Sequence, residues 1–386
     1  MIFAHERLKK SFGEISVYIN FWYPVTLSEE LKEEPIRVRM LSQNFVVFRD
    51  SKGKPNTLSD TCVHRGGSLS GGVVREDCIQ CPYHGWRFNG DGVCQRIPSL
   101  GKDAKIPKRA RVDAYPTEER YGIVFAFLGD LEEGKRPPIM PINELDDEKN
   151  WRANVLTYEA NINFERSIEN GLDAAHNEFV HPTHGHEGEG DDYKVGKLDF
   201  VDNMFGPKKW GFGFWHAFKS PGSKSEGPQI KEASDERMAG SGIVGPNQMW
   251  TYIVFNENSE FRQYMFECPV EENHVKIFLI NMRKMMLDPN MDKPIADRCM
   301  VIAKQDIVIL EQLDPVLTPQ FNTKEFLVPS DEPCIKYRKL LNGWKKKGWK
   351  IDTTELTTNL GKKAYAIPSP ARKTQKGWVL DKVPLS

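Results

Sequence analysis

No run of roughly 18 apolar residues, the length a bilayer core demands, occurs in the 386-residue sequence, so an integral membrane segment is not expected. The N-terminal stretch carries Glu6, Arg7, Lys9, Lys10 and Glu14 and has no apolar core of signal-peptide length, which argues against a secretory leader. Charge of one sign is not in excess: 53 Lys and Arg against 54 Asp and Glu leave a formal net charge of -1, pointing away from nucleic acid and anionic membranes. Cysteines are few, seven, and odd in number, which fits reduced thiols rather than a disulfide framework. No glycine-rich dinucleotide fingerprint opens a helix after a strand, and the short Gly66-Gly67 and Gly71-Gly72 pairs do not make one. Internal repeats are lacking. These absences leave a cytoplasmic protein that must take any nicotinamide-derived electrons through another protein. Its length suggests two or three domains, and 39% hydrophobic with 11% aromatic residues is enough for a sizeable core.

Among the few cysteines, two stand in a telling pattern. Cys62-Val63-His64 is followed, after 16 intervening residues, by Cys81-Pro82-Tyr83-His84. One C-x-H and one C-x-x-H pair can hold a [2Fe-2S] cluster with thiolates on one iron and imidazoles on the other, a Rieske centre. Neutral imidazoles remove negative charge, so such a cluster has a higher potential than an all-cysteine one. Zinc is the competing reading, because Cys78-x-x-Cys81 looks like half of a zinc ribbon. Arg65-Gly66-Gly67 after His64 and Gly85-Trp86 after His84 favour the cluster, since glycine turns let backbone approach the sulfides. Cys78 is then a bystander.

The chain reads as α+β. Residues 1–20 suggest a short helix and connector, and residues 21–130 a small antiparallel β domain for the cluster. Within it Ile36, Val38 and Met40 alternate with Arg37 and Arg39 as a half-buried strand does, and Asn89-Gly90-Asp91-Gly92 is a hairpin turn. A polar, proline-bearing connector at residues 132–138 marks a boundary. Residues 131–341 read as a second, catalytic domain: a helix over 161–180 with Phe164, Ile168 and Leu172 on one face, then an antiparallel sheet, then a helix over 294–313 stopped by Pro315. Strands are predicted at 210–218, 248–255, 261–268 and 274–280, with a glycine-rich loop at 184–192 and a long connection at 220–245. Trp210, Phe212, Phe214, Trp250, Tyr252 and Phe255 alternate on two of those strands, so one set faces inward, as ordinary core or as pocket wall. Residues 342–386 read as a lysine-rich tail whose Lys345, Lys346, Lys347 and Lys350 either lie solvated or dock an acidic ferredoxin.

The second stretch with chemistry runs from Glu169 to His181. Asp173 and His176 stand i, i+3 on one helix face, whereas His176 and His181 at i, i+5 point roughly 140° apart on a regular helix. Both reach one metal only if the helix ends or bulges between them, and Pro182 gives it reason to end. Two histidines and one carboxylate make the facial triad of non-haem Fe(II), with positions left open. Asp306 is the candidate carboxylate: it falls on a stripe with Ile302, Ile309, Leu310 and Leu313, where an acid is costly unless paired or metal-bound. His184 and His186 are competing ligands on a loop that positions them less well, and Glu311 and Asp314 lie off the stripe as solvated charges. His5, His216 and His274 read as ordinary hydrogen-bonded histidines.

With both motifs in order, the sequence resembles the catalytic alpha subunits of the Rieske non-haem iron oxygenases, the aromatic-ring-hydroxylating family. Cys62-x-His64 with Cys81-x-x-His84 is similar to the family's cluster motif, and Asn170-x-x-Asp173-x-x-His176-x4-His181 to its iron motif. The resemblance implies a Rieske domain joined to a helix-grip catalytic domain, with a [2Fe-2S] cluster and a mononuclear Fe(II) held by His176, His181 and Asp306. It implies a head-to-tail homotrimer in which Asp173 hydrogen-bonds both His176 and a neighbour's cluster histidine, while Asn170 sits beside the iron without binding it tightly. Residues 328–331 with Tyr337-Arg338-Lys339 look similar to the C-terminal helix of monooxygenase and demethylase members. The activity implied is oxygenation, by monooxygenation or demethylation, of a small aromatic or cyclic organic substrate. Dioxygen and electrons from a ferredoxin or NAD(P)H-dependent reductase are consumed. The alternatives are a cis-dihydroxylating dioxygenase and, from another class, a Rieske electron-transfer protein without oxygenase chemistry.

Overall fold

The computed structural model describes residues 17–181, 193–219, 236–319 and 322–386. The stretch with His184 and His186, and residues 220–235 of the expected connection, lie outside the described residues.

The N-terminal part is built from three small antiparallel sheets. One joins β1 (Phe21–Leu27), β11 (Ile123–Leu128) and β10 (Thr117–Arg120). A second orders β2 (Ile36–Met40), β3 (Gln43–Arg49), β4 (Pro55–Ser59) and β9 (Ala114–Tyr115). The third runs β5 (Val73–Arg75), β6 (Cys78–Gln80), β7 (Arg87–Asn89) and β8 (Cys94–Arg96), with the expected turn at Asn89 to Gly92 closing the last hairpin. Leu41 and Ser42, Glu76 and Asp77, and Tyr121 and Gly122 all take positive φ at two-residue hairpin turns, the conformation that matches the right-handed twist of paired strands.

The remainder is organised on one seven-stranded antiparallel sheet, ordered β12 (Arg152–Ala160), β18 (His274–Arg283), β17 (Ser259–Glu271), β16 (Gln248–Asn256), β15 (Glu236–Val244), β14 (Gly211–Lys219) and β13 (Asp199–Asp202). Alternate residues face opposite layers. One face carries Trp250, Tyr252, Tyr264, Phe266 and Phe278, which pack into a core with Trp22, Phe125 and Phe127 of the N-terminal sheet. The other carries Met249, Met265 and Ile277, and packs under α1 (Phe164–Leu172) and α4 (Glu332–Lys345). Short α2 (Asn177–Val180), long α3 (Asp292–Leu310) and short α5 (Thr353–Thr358) complete the helices among the described residues.

Several expectations need correcting. The aromatic set is split: Trp250 and Tyr252 belong to the face against the N-terminal sheet, whereas Phe214 lies in the core on the helix side, and Trp210 packs edge-on to Phe21 and flat on Trp349. The expected connection up to residue 245 ends in strand β15, whose Gly240, Ser241 and Gly242 hid a central strand behind residues that rarely form one. The expected helix over 161–180 is two helices, broken from Asp173 to His176. Helix α3 buries Ile295, Cys299 and Ala303 and leaves Ile309 47% exposed, so the expected stripe was one position off along part of its length. The lysine-rich stretch is no loose tail: Trp344, Lys350, Ile351 and Ile367 are buried, and Arg372 and Ser369 bond the fully buried Asp113 of the N-terminal part.

Candidate metal centres

The first centre is made by two loops of one design. Gly66 N–H donates to the Cys62 carbonyl (2.9 Å) and Gly85 N–H to that of Cys81 (3.0 Å). Cys62 and Cys81 N–H in turn donate to the carbonyls of Gly67 and Trp86, five residues on. Gly66 and Gly85 have φ of 72° and 71°, a region that glycine enters without the Cβ clash other residues suffer. A Cβ on Gly67 would stand 3.0 Å from Cys81 Sγ, so the backbone of one loop closes on the thiol of the other. Asp60, buried, holds the first loop by accepting from Ser70 N (2.6 Å) and Ser68 Oγ (2.6 Å).

The donors separate into two pairs. Cys62 and Cys81 are buried side by side, and burial, then the neighbouring thiol, raises Cys62 to about 12. His64 and His84 meet with ring centroids 4.4 Å apart, and both are exposed. Trp86 stacks flat on His64 at 4.6 Å and fixes its plane, a role that sequence reading did not assign. A thiol is hard to ionise where it is buried unless a metal takes the proton's place. Paired thiols inside and paired imidazoles at the surface suit a two-iron cluster, one pair per iron. A zinc ion needs its donors around one point. Among the described residues the trio that converges so tightly is a different one. Cys78 is a buried free thiol on β6, and burial raises its pKa against the nearby Arg87.

That converging trio is His176, His181 and Asp306, with donor atoms all within 4.8 Å of one another. The break between α1 and α2 is what brings the histidines together. Asp173 ends α1 in an extended conformation, its Oδ1 accepts from Ala175 N (2.7 Å), and His176 then starts α2, placing the two rings 5.2 Å apart. Asp306 Oδ1 lies 3.3 Å from His181 Nε2 and 3.7 Å from His176 Nε2, yet it is buried and accepts no hydrogen bond. The opposite ring nitrogens are occupied: His176 Nδ1 meets the Asp173 carbonyl (2.7 Å) and His181 Nδ1 meets Gln305 Oε1 (2.9 Å). With Nδ1–H donated outward, both Nε2 lone pairs face the carboxylate. Three lone-pair donors aimed at one another are held together by a cation, so the residues fit a mononuclear metal.

The imidazoles shift in opposite senses. Burial dominates at His176 and lowers its pKa against Asp306 and Asp173, whereas at His181 burial is outweighed by the nearby Asp306 carboxylate and the contact with Gln305, and the pKa rises. Asp173 differs from expectation: its carbonyl makes the bond to His176, and its carboxylate, partly exposed, lies 3.9 Å from His176 Nδ1. Asn170 sits half-buried in the last turn of α1. Glu311 and Asp314 are exposed. Gln305 escaped sequence reading, because an amide on a helix carries no cost that would mark it. A buried network also ties α1 to α4, where Arg338 bonds both oxygens of Glu169 and Arg166 pairs with Glu325.

Two family models match the chain: the Rieske [2Fe-2S] domain over residues 21–116 and the vanillate O-demethylase oxygenase C-terminal domain over residues 231–347. A phenoxybenzoate dioxygenase subunit alpha from Ectopseudomonas oleovorans is 43% identical over 121 residues, 31% of this chain and 29% of the relative. A chloroplastic chlorophyllide a oxygenase from Chlamydomonas reinhardtii is 28% identical over 333 residues, 84% of this chain and 48% of the relative. The matched stretches thus span less than half the length of these curated relatives. The structure of Pseudomonas putida CBB5 NdmA with caffeine is similar at a TM-score of 0.69 and 25% identity, covering 85% of this chain and 91% of that one. Among the described residues no helix is long and apolar enough to cross a membrane.

Proposed function

We propose that this chain, which belongs to the Rieske non-haem iron oxygenases, is the terminal component of an oxygenase. It would hydroxylate or demethylate a small aromatic or cyclic substrate, with electrons from a separate ferredoxin or NAD(P)H-dependent reductase. The observation that carries this reading is Asp306 Oδ1, buried without a hydrogen bond and faced by two imidazole Nε2 atoms. An electron carrier has no need of such a second site.

Cys62, His64, Cys81 and His84 would hold the cluster, and His176, His181 and Asp306 the mononuclear iron. When bound, the cluster supplies single electrons and the iron supplies the redox chemistry by which dioxygen is activated. The protein's part is placement. The Asp173 carbonyl and Gln305 fix the tautomer and plane of the two imidazoles, as partners of metal-bound histidines do. A metal held by these three residues would keep positions free for dioxygen and substrate. The two domains would meet at residues 132–138, with the cluster part before and the iron part after.

We read the assembly as a head-to-tail trimer in which Asp173 links the iron site to a cluster histidine of the neighbouring subunit. Two apolar surfaces support that reading. Tyr83, beside His84, is 57% exposed, and Phe179, Val308 and Ile309, on the two helices that carry the iron ligands, are 60%, 55% and 47% exposed. Apolar groups of that size beside both centres are costly in water and gain by being covered.

The test is product analysis with 18O-labelled dioxygen, a reductase, and a panel of aromatic, methoxy and N-methyl compounds. One labelled oxygen atom in a hydroxylated or demethylated product is the expected result. Two labelled atoms would make the enzyme a dihydroxylating dioxygenase, and cluster reduction with no oxygen consumption on any substrate would leave only an electron carrier.

A further inference from the structure

The face of the large sheet that lies under α1 carries a polar row that neither the metal centres nor the core explains. Asn281, Gln263, Thr251 and Ser241 are register partners on four adjacent strands, β18, β17, β16 and β15. Gln263 Nε2 donates to Asn281 Oδ1 at 3.0 Å, and the Ser241 and Thr251 hydroxyls stand 3.3 Å apart. Asn281 is 1% exposed, and its Nδ2 is buried with no hydrogen-bond partner. A buried amide donor left unpaired is costly, and at that depth Asn281 backs Gln263 through the bond to its Oδ1.

The row's place follows from how α1 runs over the sheet. Ser167 bonds Glu267 on β17 (2.7 Å), and one turn on, Gly171 comes down on Met249 and Met265, so that a Cβ there would be 2.0 Å from Met249 Cε. Four residues of helix advance about 6 Å while two residues of strand go back about 7 Å. On β17 the next residue of that face beyond Met265 is Gln263, and α1 ends at Leu172, one residue past Gly171. Gln263 and Thr251 are only half-buried although their strands are central, whereas Trp250 and Tyr264 on the other face are 1% and 0% exposed. The half-buried part of the row thus lies at the end of α1 from which Asp173 and His176 follow in sequence.

We propose that Gln263 and Thr251, backed by Asn281 and Ser241, form the polar floor of the substrate site, and that they select a substrate bearing an uncharged hydrogen-bonding group such as an amide, ring carbonyl or hydroxyl. The inference rests on the oxygenase reading above. Every member of the row is a neutral amide or hydroxyl, so it offers directional hydrogen bonds and no counter-charge. Arg283, next along β18, is engaged by Asn154 and Asp292. Arg237 lies four residues beyond Ser241 along β15, about 13 Å at strand rise, and stacks on Phe255. Neither serves a carboxylate seated on the row.

The test is calorimetric titration of the anaerobic, metal-loaded protein with 3-methoxybenzamide, 3-methoxybenzoate and 3-methoxytoluene, which differ in one group. The amide is expected to bind about tenfold tighter than the other two, with Gln263→Leu and the near-isosteric Thr251→Val each losing about five- to tenfold for the amide and little for the toluene. Iron, sulfide and the cluster absorption spectrum should be unchanged in both variants. Tighter binding of the benzoate, binding of the amide that both variants retain, or no binding of any of the three at millimolar concentration would each overturn the proposal. A wild-type protein that takes up no iron or sulfide would instead strike at the oxygenase reading, and this inference would fall with it.

Discussion

Asp306 is expensive where it stands, and that expense made it visible. An acid among Ile302, Leu310 and their neighbours asks for a cation or a partner, and the structure brings it to two histidines 125 and 130 residues away in sequence. Its helper Gln305 was not visible, because an amide on a helix carries no such cost. Glu267 was missed for a different reason: in sequence it is one acid in a strand, and only the fold reveals it wholly buried with Ser167 as its donor. Burial pushes its pKa up to about 8, against the bond from Ser167. The folded chain therefore keeps this proton at pH values where the unfolded chain, near 4.5, has lost it. Stability should fall as pH rises between those values. Glu267→Gln should remove that dependence and gain a few kcal/mol over wild type at alkaline pH, read from urea midpoints at pH 6 and 8.5. Parallel wild-type and variant curves would refute the assignment.

At the scale of elements, the decisive feature is the break between α1 and α2. The i, i+5 spacing of His176 and His181 showed that a regular helix could not serve both, and Pro182 suggested an end after His181. The chain solves the problem earlier, with Asp173 capping its own turn through Ala175 N. That local bond cannot be read from hydrophobic periodicity, which continues smoothly through Leu172. Asp173 thus has two separable parts, a carbonyl that orients His176 and a partly exposed carboxylate that accepts from Ala175 N. Asp173→Ala should keep both metal sites, because the carbonyl on His176 remains and one turn bond alone is lost, and should lower turnover by roughly 10- to 100-fold if the carboxylate bonds a neighbour's cluster histidine. Loss of the mononuclear iron in that variant, with iron kept in Asp306→Ala, would reverse the roles given to the two acids. Strand β15 shows the opposite limit of sequence reading, since Gly240 and Gly242 read as a loop and only the neighbouring strands make them a ladder.

At the scale of the molecule, the α+β architecture and the order of the two motifs were legible, because each has its own periodicity or spacing. The joining of the parts was not. The N-terminal sheet and the large sheet share an aromatic core, and the C-terminal stretch straps both through Trp344, Ile351 and the Asp113–Arg372 pair. His64 and His84 are exposed, as the proposed exchange of electrons between subunits would require. If Asp173 serves a neighbour's cluster, then mixing Cys62→Ala, lacking the cluster, with His176→Ala, lacking the mononuclear iron, should restore part of the activity in mixed trimers. No recovery in verified mixed assemblies would place the electron route within one subunit.

The central claim is that one chain holds two chemically different iron centres, and joint iron, zinc and acid-labile sulfide analysis tests it most directly. Wild type should contain about three irons and two sulfides per chain, and Asp306→Ala about two irons with the sulfide unchanged. Zinc without labile sulfide, or an Asp306→Ala variant that keeps the full iron content, would contradict the account.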